Sequence, residues 1–144
     1  MNPLYLFTSV EGRISRKTYW LGILAITVVG LPAIALATLL GGGTAGAITN
    51  LLFLWCGFAL SVKRAQDRNR HYFFVAAYFA FLAVITNLSA SQTKMMDRMA
   101  TEQQTLLGAV SILFVGYVIF LFIELGLRRG TVGPNRYGAD PLEI

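Results

Sequence analysis

Between two apolar runs the chain carries Lys63-Arg64-Ala65-Gln66-Asp67-Arg68-Asn69-Arg70-His71, which places four of its twelve basic residues around one carboxylate. Guanidinium groups bind phosphate and carboxylate through paired, charge-assisted hydrogen bonds, so this stretch can grip an anionic ligand or its own Asp67. If the preceding helix continues through it, Arg64, Asp67, Arg68 and His71 fall at i, i+3, i+4 and i+7 and share one face. Histidine is a residue type used for proton transfer, but His71 has no second base or ligand beside it in sequence and so makes no catalytic constellation. Two further basic groups flank the chain, Arg13, Arg16 and Lys17 near the start and Arg128, Arg129 and Arg136 near the end. Arg13, Arg16, Arg64, Arg68, Arg128 and Arg136 are the candidate anion-binding residues. Glu124 stands inside an apolar run, where an ionisable group is by default a functional candidate, for example in proton coupling. Arg128 at i+4 offers it a simple helical ion pair instead. Nucleophilic triads, P-loops, HExxH pairs and paired catalytic carboxylates are absent, and Cys56 is the only cysteine. No catalytic residue, metal site or cofactor is therefore expected, and an enzyme is the least favoured class.

These residues must be positioned by apolar elements, because 56% of the 144 residues are hydrophobic and only 13% charged, about half the charged fraction of a soluble domain. The net charge of +5 sits at the ends of apolar segments and is not spread over a surface, so it speaks for orientation in a membrane and against nucleic acid as a partner. Four spans are expected, at about 18–40, 45–62, 72–88 and 106–127. The first is roughly 34 Å of helix against a hydrocarbon core of about 30 Å, and the third is near the lower limit for crossing. Ser15 is placed to cap the first span, and Pro32 is expected to kink it. Gly41 to Gly46, GGGTAG, leaves room only for a tight antiparallel hairpin. The residues before Gly12 are expected to lie along the membrane surface. The loop at 89–105 balances Lys94 and Arg98 against Asp97 and Glu102, and Met95 and Met99 suit a short interfacial helix.

Counting cations decides orientation. Ten fall at the N-terminus, central loop and C-terminus together, against Lys94 and Arg98 alone on the opposite side. Both termini and the central loop are thus expected in the cytoplasm. The expected fold is an all-α integral membrane four-helix bundle, a single domain over 1–144 with cytoplasmic N- and C-termini.

Three patches, GRISRKTYW (12–20), KRAQD (63–67) and NRYGADP (135–141), bracket nearly the whole chain. In order and spacing they resemble the DUF805 family of small bacterial inner-membrane proteins, a family of unknown function. Lys63 departs from the usual first arginine of the central pair, and Asn69 stands where a glycine is common, while Arg64 and Asp67 match. The resemblance implies the bacterial inner membrane and supplies no reaction. Asn135 and Asp140 in the last patch join Asp67, Glu124 and His71 as structural or functional polar candidates.

The expected role is a binding or scaffold module whose basic cytoplasmic face engages anionic membrane lipid, through a lipid or polyprenyl phosphate, or a membrane-protein partner. The alternative is a subunit of a small oligomeric transporter or channel, with Ala/Gly faces that permit homo-oligomer packing. Mid-membrane polar residues are few (Thr27, Asn50, Tyr78, Thr86, Ser111 and Tyr117), which favours binding. Asp67 is expected to hold Arg64 and one of Arg13 or Arg16 in a partly buried network.

Overall fold

The computed structural model describes residues 2–73, 75–82 and 112–142, and its secondary structure is helical apart from one isolated bridge, Asn135 to Gly138. The expected loop at 89–105, its interfacial helix, the end of the third span and the start of the fourth lie outside the described residues.

A short helix, α1 (Pro3–Thr8), is capped by the Asn2 side chain on the Leu4 amide and leads to the long helix α2 (Arg16–Asp67). Ser15 caps α2 as its position suggests, its hydroxyl accepting from the Thr18 amide at 3.2 Å. Residues 73 and 75–82 form α3, and α4 spans Ile112–Leu127.

α2 is two limbs joined at Gly42. That residue has φ 73° and ψ −175°, a conformation essentially reserved for glycine, and it is the one non-helical position inside the element. Close approaches pair the limbs in antiparallel register. A Cβ on Gly22 would meet Leu60, one on Gly30 would meet Phe53, and one on Gly46 would meet Thr38. Gly22 and Gly30 are thus points of close approach between the two limbs. Pro32 keeps helical dihedrals, because a missing N–H deletes one bond of the ladder without forbidding helical φ. The sharp change of direction belongs to Gly42.

α2 is long and apolar enough to cross a membrane, and only 6% of its most apolar stretch is buried. Leu21, Leu24, Val28, Val29, Leu36, Leu39 and Leu52 face outward, whereas Arg13, Lys63, Arg64, Asp67 and Glu124 are buried. Charged side chains are almost never fully buried unless paired, and each of these has its partners within the fold.

The buried apolar cluster lies at one end. Val62 and Ala65 of α2, Val75 of α3, and Leu121 and Leu125 of α4 pack together, with Tyr19, Phe58 and Phe79 around them. The last turn of α4, Phe122–Leu127, widens to a π-helix, and the Arg128 amide donates to the Ile123 carbonyl at 3.1 Å. The segment 129–142 then folds back across the end of α2.

Candidate functional site

Asp67 is the last residue of α2 and is almost fully buried. One oxygen, Oδ1, accepts from Arg13 Nε at 3.1 Å and lies 3.0 Å from Arg13 Nη2, and the other accepts from Arg64 Nη1. Of the two N-terminal candidates for this network, Arg13 is the one that reaches Asp67. Arg16 turns outward and donates to the Leu127 carbonyl at 3.0 Å.

Arg13 is saturated by the fold. Besides Asp67, its Nη1 donates to the carbonyls of Gly133 and Gly138 at 2.8 and 3.0 Å, and its Nη2 to Thr131 O and Oγ1 at 2.7 and 3.2 Å. A guanidinium has five donors, and all five are engaged internally. Arg64 donates through Nε to the Leu125 carbonyl at 2.8 Å, through Nη1 to the Ile14 carbonyl at 3.4 Å as well as to Asp67, and through Nη2 to the Arg128 carbonyl. The expectation that Arg13 and Arg64 present themselves to an external anion thus meets a correction. Their donors hold Asp67 and the backbone, and both side chains are buried.

Arg64 and Arg16 also solve a problem at the end of α4. The final carbonyls of a helix lack intrahelical donors and carry the negative end of its dipole. Leu125, Leu127 and Arg128 receive guanidinium donors, and Gly126 O accepts from Trp20 Nε1 at 3.2 Å. Lys63 treats α1 similarly, donating to the carbonyls of Tyr5 and Leu6 while its ammonium lies 4.6 Å over the Tyr5 ring. Arg16, Lys63 and Arg64 thereby tie the ends of α1 and α4 to the two ends of α2.

The tail closes the network. The Thr131 amide and hydroxyl both donate to the Asp67 carbonyl at 2.9 Å. Asn135 Nδ2 donates to the Gln66 carbonyl at 3.0 Å and to Thr131 Oγ1 at 2.8 Å. Asn135 and Gly138 exchange two backbone hydrogen bonds of 3.0 Å, and the φ of 131° at Gly138 turns its carbonyl toward Arg13. Asp140 accepts from the amides of Leu142 (3.0 Å) and Gly133 (2.9 Å), and these bonds hold its carboxyl below the ordinary aspartate pKa. A Cβ on Gly130 would stand 1.9 Å from Asp67 Oδ2, so the chain passes where only glycine fits.

Glu124 forms a second cluster. Its side chain is 3% exposed and pairs with Arg128 at 2.8 Å, the expected i+4 partner, and also with Arg68 at 3.2 Å and Arg70 at 3.6 Å. Arg68 therefore belongs with Glu124 and not with Asp67. The shared face of Arg64, Asp67, Arg68 and His71 does not form, because α2 stops at Asp67 and Asn69 takes φ 55°. His71 lies beyond the helix, exposed, stacked on Phe73 at 4.5 Å. Arg136 is exposed and donates to the Asn69 carbonyl at 3.1 Å.

Sequence reasoning missed Lys63, Thr131, Gly130, Trp20 and Arg70. Trp20 and Lys63 stood in the first two patches and Arg70 in the central basic run, but their roles there were not legible. Lys63, Thr131 and Gly130 act through backbone carbonyls or close approach, which residue type does not announce, and Arg70 acts through its ion pair with Glu124.

Residues 7–139 match the family described as "Protein of unknown function (DUF805)". The chain is 30% identical over 139 residues to the "Uncharacterized protein YiiR" of Escherichia coli strain K12, covering 94% of this chain and 88% of that protein. The same identity and coverage hold for the protein of that name in Escherichia coli O157:H7. No solved structure matches at a significant level.

Proposed function

The chain belongs to the DUF805 family, and from that premise we propose that it is a multi-pass protein of the bacterial inner membrane with cytoplasmic termini. In this reading it is a binding or scaffold module and not an enzyme, and its basic face engages anionic lipid headgroups. The observation that carries the proposal is a division of labour among the cations. Arg13, Lys63 and Arg64 are buried and spent on the fold, while Arg16, Lys17, Arg128, Arg129 and Arg136 are exposed at the same end of the molecule. An anionic leaflet attracts such residues by about 1 kcal/mol each near the surface. The outward leucines and valines of α2 suit a lipid-facing exterior, and in this reading the cationic end lies at headgroup depth.

A proton-coupled transporter subunit would need a titratable group free to exchange protons along a path. Glu124, the candidate for that work, is clamped between Arg128 and Arg68, an arrangement that favours binding over transport. Native mass spectrometry of the purified chain tests the proposal. Co-purifying phosphate-bearing anionic lipid that salt displaces is the expected result, and retention of zwitterionic lipid alone would overturn it.

A further inference from the structure

Beside the buried ionic knot lies an open cleft of about 180 Å³. One wall is the start of α2, with Ser15, Arg16 and Lys17, and the other is the returning tail, with Arg129 to Val132, Pro141 and Leu142. Arg64 and Asp67 form the floor and satisfy each other, so the floor contributes little net charge. Asp140 also borders the cleft, but both of its oxygens already accept backbone amides. The rim is cationic. Lys17 and Arg129 are exposed and have no ion-pair partner among the described residues, and Arg16 spends one nitrogen on the Leu127 carbonyl and keeps its other donors. The amides of Arg16 and Lys17, in the first turn of α2, have no intrahelical acceptor. Unlike a flat basic patch, this arrangement sets three cationic residues around one open cleft with room for several water molecules.

We infer that the cleft is a binding site for the phosphate group of a membrane lipid, held by Lys17 and Arg129 with Arg16 beside them. This deepens, and rests on, the reading of the basic face as one that engages anionic lipid. Ammonium and guanidinium groups are the side chains suited to phosphate oxygens. The mouth of the cleft distinguishes a lipid phosphate from a free one. Val132 and Leu142 are 71% and 67% exposed there, beside Pro141. Exposed apolar side chains next to cations match the glycerol and upper chain region beneath a headgroup and give inorganic phosphate nothing to touch.

The test is a titration of the full-length protein in detergent with short-chain phosphatidate, followed by native mass spectrometry. Inorganic phosphate and the matching diacylglycerol serve as separate arms. Saturable one-to-one binding of phosphatidate, with neither control bound comparably, is expected. Lys17→Gln and Arg129→Gln should each weaken it about tenfold, the scale of one lost charge-assisted contact, while Arg70→Gln at the Glu124 cluster changes it little. Lys17 and Arg129 are exposed and stand outside the ion pairs of the fold, so both variants should melt as the parent does, which separates lost binding from lost folding. Equal weakening by all three variants would overturn the cleft while leaving diffuse lipid attraction in place. Inorganic phosphate binding as tightly as phosphatidate would overturn the lipid assignment. Absence of anionic lipid binding altogether would overturn both this site and the broader proposal.

Discussion

Asp67 was legible as a residue of consequence because it is the only carboxylate within a run of cations. Its partner Arg64 followed from three-residue spacing, whereas Arg13 lies 54 positions away and only the folded chain could choose it over Arg16. Removing the charge leaves two buried guanidinium groups facing a neutral amide, and breaking a buried ion pair costs about 3 kcal/mol or more. Asp67→Asn is expected to lower the melting temperature strongly in detergent, while Glu11→Gln, at an exposed carboxylate, changes stability by no more than about 0.5 kcal/mol. Gly130 makes a second expectation at the same atom. The Asp67 carboxylate is held from two sides and cannot withdraw, so Gly130→Ala should destabilise by about 1 to 3 kcal/mol, as overpacking does, and thermal unfolding measures it. Asn69 shows what can be extracted from a departure in sequence. It occupies a place where glycine is common, and the φ of 55° there is one that asparagine, among the non-glycine residues, tolerates well.

At the scale of elements, the apolar run lengths and the glycine cluster were enough to anticipate a hairpin, since 52 residues of α2 with one glycine-only position leave the chain little else to do. The partners of each close approach were not legible. Gly22 against Leu60 and Gly30 against Phe53 depend on the rotation of each limb about its axis, which hydrophobicity cannot set when nearly every position is apolar. A Cβ at Gly42 would have nothing within 4 Å of it, so any penalty there is conformational and not steric crowding. Gly42→Ala should therefore cost about 1 to 3 kcal/mol, measured by thermal unfolding, whereas Gly43→Ala, equally open and without positive φ, should be neutral or slightly stabilising. The π-turn at the end of α4 carried no sequence signature, and the groups that satisfy its carbonyls, Arg64, Arg16 and Trp20, reach them from other elements.

Across the whole molecule, a tail of fourteen residues is locked over the end of α2 through Asn135, Thr131 and the turn that Asp140 organises. Acid should loosen that lock in a defined direction. A carboxyl whose folded-state pKa is depressed contributes stability above its unfolded value and loses it as pH falls through the folded value. For Asp140 the contribution is complete above the ordinary aspartate value of 3.8 and declines below it, so the Gly133 and Leu142 amide resonances should titrate together below that value. The same tail and the start of α2 hold the outward cations on one end, and the entire functional reading depends on that end facing the anionic cytoplasmic leaflet. Cysteine accessibility measures this most directly. In a Cys56→Ser background, Lys17→Cys, Asn69→Cys and Arg136→Cys should all react with an impermeant maleimide in inside-out vesicles and remain unlabelled in intact spheroplasts. Labelling of any of the three from the periplasmic side would contradict the account.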